Sequence, residues 1–259
     1  MRCYHLSISE KNLNFSVFLS FIMLHVGTCG FPVARKKYSQ EFKVVEIQKT
    51  FYTPIKEETA KRWRDDMPRD FEFTMKAPQT ITHPTSSPTY RRYKGKNGDF
   101  GFFKNNEDVM SSWEQARKIG KILRAKIIIF QSPASFKEDK NNIKNIYNFF
   151  NSIERDFIFG WEPRGKWGEA SIKKICSDLN LIHIVDPFKN KKLWGDFGYY
   201  RLHGIGGYKY IYSHSDLEFL IKIVKNGDYV MFNNTNMWED AKKFKLLLSE
   251  KQLHNVHYQ

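Results

Sequence analysis

From Leu24 onward the chain repeats one pattern: a short apolar run closing on a polar residue, a loop, then a stretch with apolar positions three and four apart. The short runs cover residues 24–27, 44–48, 71–76, 126–131, 157–162, 181–186, 199–203 and 229–233, and their lengths suit strands. The longer stretches cover residues 57–64, 108–123, 142–153, 170–179, 215–224 and 239–248. In the second of them Trp113, Ala116, Ile119 and Leu123 fall on one helical face. Runs such as Ile127-Ile128-Ile129-Phe130 are apolar on both faces, as parallel strands covered by helices require. Eight such units predict an α/β fold, a TIM-like (β/α)8 barrel in a single domain over residues 23–259. Two helices are expected to be degenerate: the first, within 31–42, and the sixth, because 187–198 carries a proline and two glycines. The third connection, 77–107, is long enough to expect a lid or a binding loop. An open doubly wound sheet is the alternative, but no G-x-G-x-x-G follows the first strand.

Composition narrows the class. The 259 residues carry 42 Lys+Arg against 28 Asp+Glu, a formal charge of +14, yet 22 Phe, 13 Tyr and 6 Trp supply a core that disordered chains lack. The three cysteines are far apart and odd in number, which argues against a disulfide framework and for a reducing, cytoplasmic setting. The apolar run 15–26 is interrupted by Ser16, Ser20 and His25 and is too short for a bilayer core of about 30 Å, so no membrane association is expected. Residues 1–22 read as a non-structural extension, with Met23 as an alternative start.

In a (β/α)8 barrel the active site lies where strands end and the following loops begin. The polar residues there are Glu46 and Gln48 on the second strand, Lys76 on the third, Gln131 on the fourth, Glu162 on the fifth and Asp186 on the sixth. Arg201 and His203 share a face of the seventh, and Asn233 and Asn234 close the eighth. Glu46, Glu162 and Arg201 sit within otherwise apolar strands, where a charge must be paired or costs several kcal/mol. His203 is the candidate for proton transfer near neutral pH. Asp186, ahead of Pro187, also suits a loop cap. Glu162, Asp186 and His203 have the donor chemistry of a divalent-metal site, but no H-E-x-x-H or similar spacing accompanies them, and no metal is assigned.

The positive charge gathers in three predicted loops: Lys36 with Arg35 and Lys37; Arg91, Arg92, Lys94 and Lys96; and Lys191 with Lys189 and Lys192. Tyr90, Tyr93, Phe100, Phe102, Trp194, Tyr208, Tyr210 and Tyr212 lie near them. Basic loops with aromatics suit a phosphate backbone and unstacked bases, so nucleic acid is a candidate partner.

Several segments together carry a family resemblance. They are Val26-Gly27-Thr28-Cys29-Gly30-Phe31, Val45-Glu46-Ile47-Gln48-Lys49-Thr50-Phe51-Tyr52, Lys76-Ala77-Pro78 with Ile81-Thr82-His83, and Phe130-Gln131-Ser132-Pro133. Glu162-Pro163-Arg164 with Trp167, Arg201-Leu202-His203-Gly204, Tyr212-Ser213 and Phe232-Asn233-Asn234-Thr235 continue the series. In this order, from about Leu24 to Leu248, they resemble the YecE-like family, domain of unknown function seventy-two. The resemblance implies a TIM-like barrel without an assigned activity, and it adds Tyr52 and Arg164 to the ligand-binding set. The family's Glu-x-Arg-His segment appears here with Gly165 in place of the histidine.

The expected function is that of an enzyme, a hydrolase or isomerase, acting on a phosphorylated or sugar-like ligand. Glu162, His203, Glu46 and Asp186 would be catalytic; Gln48, Tyr52, Lys76, Gln131, Arg164, Arg201, Asn233 and Asn234 would bind. The alternatives are a non-catalytic nucleic-acid-binding protein using Lys36, Arg91, Arg92, Lys94 and Lys191, or a metal-dependent nuclease.

Overall fold

A computed structural model describes residues 23–257, with side chains through 252, so the extension expected over 1–22 lies outside the described residues. Eight parallel strands are present: β1 (His25–Cys29), β2 (Val44–Ile47), β3 (Glu72–Lys76), β4 (Ala125–Ser132), β5 (Ile158–Pro163), β6 (Leu181–His183), β7 (Tyr199–Leu202) and β8 (Tyr229–Phe232). They pair in the order β6-β5-β4-β3-β2-β1-β8-β7. The ring closes between β6 and β7 through a single bridge, Val185 to Tyr200, with Arg201 N donating to Val185 O at 2.9 Å and Val185 N to Tyr199 O at 3.4 Å.

The outer layer is α1 (Arg35–Glu41), α2 (Lys49–Tyr52), α3 (Glu57–Asp65), α4 (Gln79–Thr82), α5 (Glu107–Leu123), α6 (Lys140–Ser152), α7 (Glu169–Asp178), α8 (His214–Ile223) and α9 (Met237–His257). The long amphipathic helices begin at side-chain caps where the sequence supplies them. Asn106 caps α5, Asp139 caps α6, and Ser213 with Asp216 forms a capping box on α8. Residues 187–198 hold no helix, as their composition predicts.

Period-two alternation divides the core in two. Inside the barrel lie Cys29, Val44, Ile127, Ile129, Ile182, Ile184, Tyr199, Tyr229 and Met231; a larger cluster fills the space between barrel and helices. Gly27 faces inward where β1 and β2 approach closely, since a Cβ there would lie 2.3 Å from Val44 O.

The short first helix expected within 31–42 is present, and two segments read as basic loops are more ordered than expected. The basic first loop is helix α1, because Tyr38 is drawn into the core, where its hydroxyl accepts from Thr28 N and donates to Val44 O, both at 2.9 Å. Arg35 accordingly pairs with Asp66, Lys37 lies 5.8 Å from the Trp238 ring centroid, and Lys36 is exposed on the outer helical layer. The third connection is strapped down rather than lid-like. Gly101 N donates to Thr80 O and Phe103 N to Ile81 O, each at 2.9 Å, while Phe100 and Phe103 are buried. Its aromatics are spent on one another: Tyr90 on Tyr93, Tyr93 on Phe100, Phe102 on Phe136.

Candidate functional site

The inward positions of each strand form a polar layer above the apolar interior. Following the alternation upward, Val44 leads to Glu46 and Gln48, Thr74 to Lys76, Ile129 to Gln131, Gly160 to Glu162, Tyr199 to Arg201 and His203, and Met231 to Asn233. Register then sets neighbours side by side: Glu46 beside Thr74, and Gln131 beside Glu162.

At the centre Arg201 is fully buried among polar side chains from neighbouring strands. Nε donates to Glu46 Oε2 at 3.0 Å, Nη2 to Glu46 Oε1 at 2.8 Å and Gln48 Oε1 at 3.5 Å, and Nη1 to Glu162 Oε2 at 2.5 Å. Tyr199, which sequence reasoning missed, donates its hydroxyl to Glu46 Oε2 at 2.9 Å and lies 2.7 Å from Thr74 Oγ1. Period two from Arg201 would have found it. Arg201 and Glu46 therefore pair with one another at the base of the mouth, with Glu162 as the third member. The signal could not have been sequence-local, because both carboxylates come from other strands.

Glu162 presents its other edge upward. Oε1 accepts from Arg164 Nη2 at 2.6 Å and lies 3.2 Å from His203 Nε2; Arg164 also touches His203 Nε2. Asn233 Nδ2 lies 3.1 Å from His203 Nδ1, so Nδ1 faces a carboxamide while Nε2 faces both the Glu162 carboxylate and the Arg164 guanidinium. Burial would push the Glu162 carboxyl up, but the Arg201 and Arg164 guanidinium groups and the His203 hydrogen bond hold it well below the usual carboxylate range. Burial lowers His203 from its ordinary value against the pull of Glu162, leaving it neutral at pH 7.

Lys76 closes the layer on the other side. Its amine donates to Gln131 Oε1 at 2.8 Å and sits 3.5 Å from the centroid of the Phe51 ring. Gln131 Nε2 in turn donates to Glu162 Oε2 at 2.9 Å. Burial, then the Arg201 charge, brings the amine down to about 7 despite the opposing carboxylates.

Above Glu162 opens a cleft of about 480 Å³ lined by Arg164, Trp167, His183, Asp186, Lys189 and Lys191, among others. Asp186 acts there as an anchor. Its Oδ2 accepts from His203 N at 3.2 Å and its Oδ1 from Phe188 N at 3.1 Å, which ties the start of the sixth loop to the end of β7. Tyr208 is exposed, edge-on to His203 at 5.8 Å between ring centroids. Arg92 lies 5.4 Å from the centroid of Tyr52, and Arg91 and Lys94 are exposed beside it. Asn234 is turned elsewhere: its Nδ2 donates to Tyr210 O at 2.7 Å and Asp240 Oδ2 at 2.6 Å, fastening the loop after β7 to α9.

Among the described residues no three His, Cys, Asp or Glu side chains converge as around an ion. The two carboxylates that meet at the centre are bridged by a guanidinium. No helix among the described residues is long and apolar enough to cross a membrane.

A closed ring of eight parallel strands with a charged layer at its carboxyl-terminal rim makes this a TIM-barrel protein with its candidate site at the mouth. The chain belongs to the family described as Protein of unknown function DUF72, whose model matches residues 34–257. The DUF72 family protein of Enterococcus faecalis V583 has a similar structure, with a TM-score of 0.69 at 17% identity over 88% of this chain and 98% of that one. The DUF72 family protein of Thermotoga maritima MSB8 gives a TM-score of 0.63 at 22% identity, covering 88% and 99%. A xylose isomerase domain containing protein of Salmonella typhimurium LT2 gives 0.55 at 10% identity, covering 90% and 98%. No curated protein matches the sequence.

Proposed function

We propose that the protein is an enzyme acting on a small phosphorylated or polyhydroxy molecule bound at the barrel mouth. The observation that carries this reading is the Glu162–His203 contact at 3.2 Å, whose carboxylate also lines a cleft together with Arg164, Lys189 and Lys191. The cations suit an anionic group, and Gln48, Gln131 and Asn233 suit hydroxyls. Neutral His203 receives a proton, and ionised Glu162 stabilises the imidazolium that forms; this pairing serves isomerisation or hydrolysis. The structural likeness to a xylose isomerase domain containing protein supports the fold of this reading alone. Crystals soaked with sugar phosphates and short oligonucleotides test it. Density for a sugar phosphate against Glu162 and His203 supports it, and turnover lost in His203→Asn completes it; a mouth left empty by every sugar phosphate overturns it.

A second reading, nucleic-acid binding, is favoured by one observation. Arg91, Arg92 and Lys94 form an exposed basic edge with Arg92 against Tyr52, beside the same mouth.

A further inference from the structure

The mouth holds a buried primary amine in surroundings unlike those of its neighbours. Arg201 and Arg164 meet carboxylates directly, whereas Lys76 Nζ meets the neutral carboxamide of Gln131 at 2.8 Å and the face of Phe51 at 3.5 Å. Its last strand position points it into the polar layer, one carboxamide from Glu162. The Phe51 face favours the ammonium form, but no carboxylate touches the amine, so burial opposes its charge and favours the form with a free lone pair.

We propose that Lys76 is an imine-forming nucleophile, and that the substrate of the mouth is the open-chain aldehyde or ketone form of a phosphorylated polyol. This rests on the small-ligand reading above and names its substrate class. Nζ attacks the carbonyl carbon, the π electrons pass to oxygen, and one N–H proton follows to give a carbinolamine. The C–O bond then breaks as the nitrogen lone pair forms C=N, and the second N–H hydrogen leaves on the departing water. Amine plus carbonyl gives imine plus water, with no oxidant or reductant. Arg164, part-exposed and near enough for its charge to act on the amine, would meet the phosphate at the far end of the molecule. The acidity of the amine agrees with this role. At pH 7 an amine titrating near 7 is about half unprotonated, against on the order of one part in a thousand for an ordinary lysine.

The test uses the full wild-type chain at pH 7 with glyceraldehyde 3-phosphate or dihydroxyacetone phosphate and sodium borohydride, whose hydride reduces C=N to a stable secondary amine. Peptide mass mapping should place the adduct on Lys76 at least about ten-fold faster than on exposed Lys242, and Lys76→Met should lose it. In parallel, thermal unfolding with glycerol 3-phosphate, which has no carbonyl, reads binding alone. Stabilisation by glycerol 3-phosphate without a Lys76 adduct overturns the imine and leaves the small-ligand reading standing. Neither stabilisation nor adduct overturns both. Labelling of Lys76 no faster than Lys242 also overturns the imine, and this arm depends on no variant folding.

Discussion

Arg201 grips Glu46 through two parallel hydrogen bonds, Nε to Oε2 and Nη2 to Oε1, and neither side chain reaches solvent. A third donor reaches Glu162. Replacing Arg201 by Met leaves buried Glu46 without its cation and Glu162 with Arg164 alone, and such a loss costs about 3–5 kcal/mol. Urea unfolding should show that loss for Arg201→Met, and the pair Arg201→Met with Glu46→Met should lose less than the two single changes summed. Additive losses would mean that the two do not act as a unit.

Stability should fall on mild acidification. His83 is brought down to about 3 and His183 to about 4, both chiefly by burial, and His203 is lowered as well. Each folded value lies below the unfolded 6.5, so between the two the unfolded chain binds more protons, and stability rises with pH through that window. It is complete above about 6.5 and declines toward 4 by up to about 1.4 kcal/mol per pH unit per histidine. Glu162 adds its own loss only at lower pH, since its lowered value gives stability that persists until the acid passes below the usual carboxylate range. Urea midpoints at pH 7 and pH 5 decide the matter, and equal midpoints would mean that these imidazoles titrate freely.

His203 should titrate below 6.5 by NMR, and Glu162→Gln should lower it further. Burial depresses the imidazole while the Glu162 hydrogen bond and charge support its protonated form, so removing the carboxylate removes the support. A rise in the variant would dissolve the proposed proton-transfer pair.

If the basic edge beside Tyr52 binds single-stranded nucleic acid, replacing Arg91, Arg92, Lys94 and Lys96 by Ser should lower both affinity and the steepness of its salt dependence. Replacing Lys242 and Lys243 on α9 should do much less. Equal losses in a filter-binding series over salt would reduce the effect to nonspecific charge.

The barrel was legible because inward positions follow period two, and strand ends announce themselves where an apolar run stops on Gln48, Lys76, Gln131 or Glu162. The same rule separates Asn233 from Asn234: counting by twos from Tyr229 and Met231 reaches Asn233 alone. What could not be read is which buried charge meets which, because Arg201 is satisfied by carboxylates from two other strands across the barrel. The four-residue helices α2 and α4 are too short to show any period. The strapped third connection depends on Gly101, whose φ of +91° and closeness to the His83 carbonyl, 2.4 Å from an added Cβ, are facts of three dimensions. The unusual acidity of Lys76 is likewise a property of its burial and not of its neighbours in sequence.

The single bridge between Val185 and Tyr200 makes the ring a clasp with one weak catch. His203 hangs just beyond that catch on β7, tied across it by Asp186, while Glu162 belongs to the firmly laddered side. Springing the catch would have to part both Arg201 and His203 from Glu162. The charged layer thus spans the thinnest part of the backbone ring, where side chains make the connection that the strand ladder makes elsewhere.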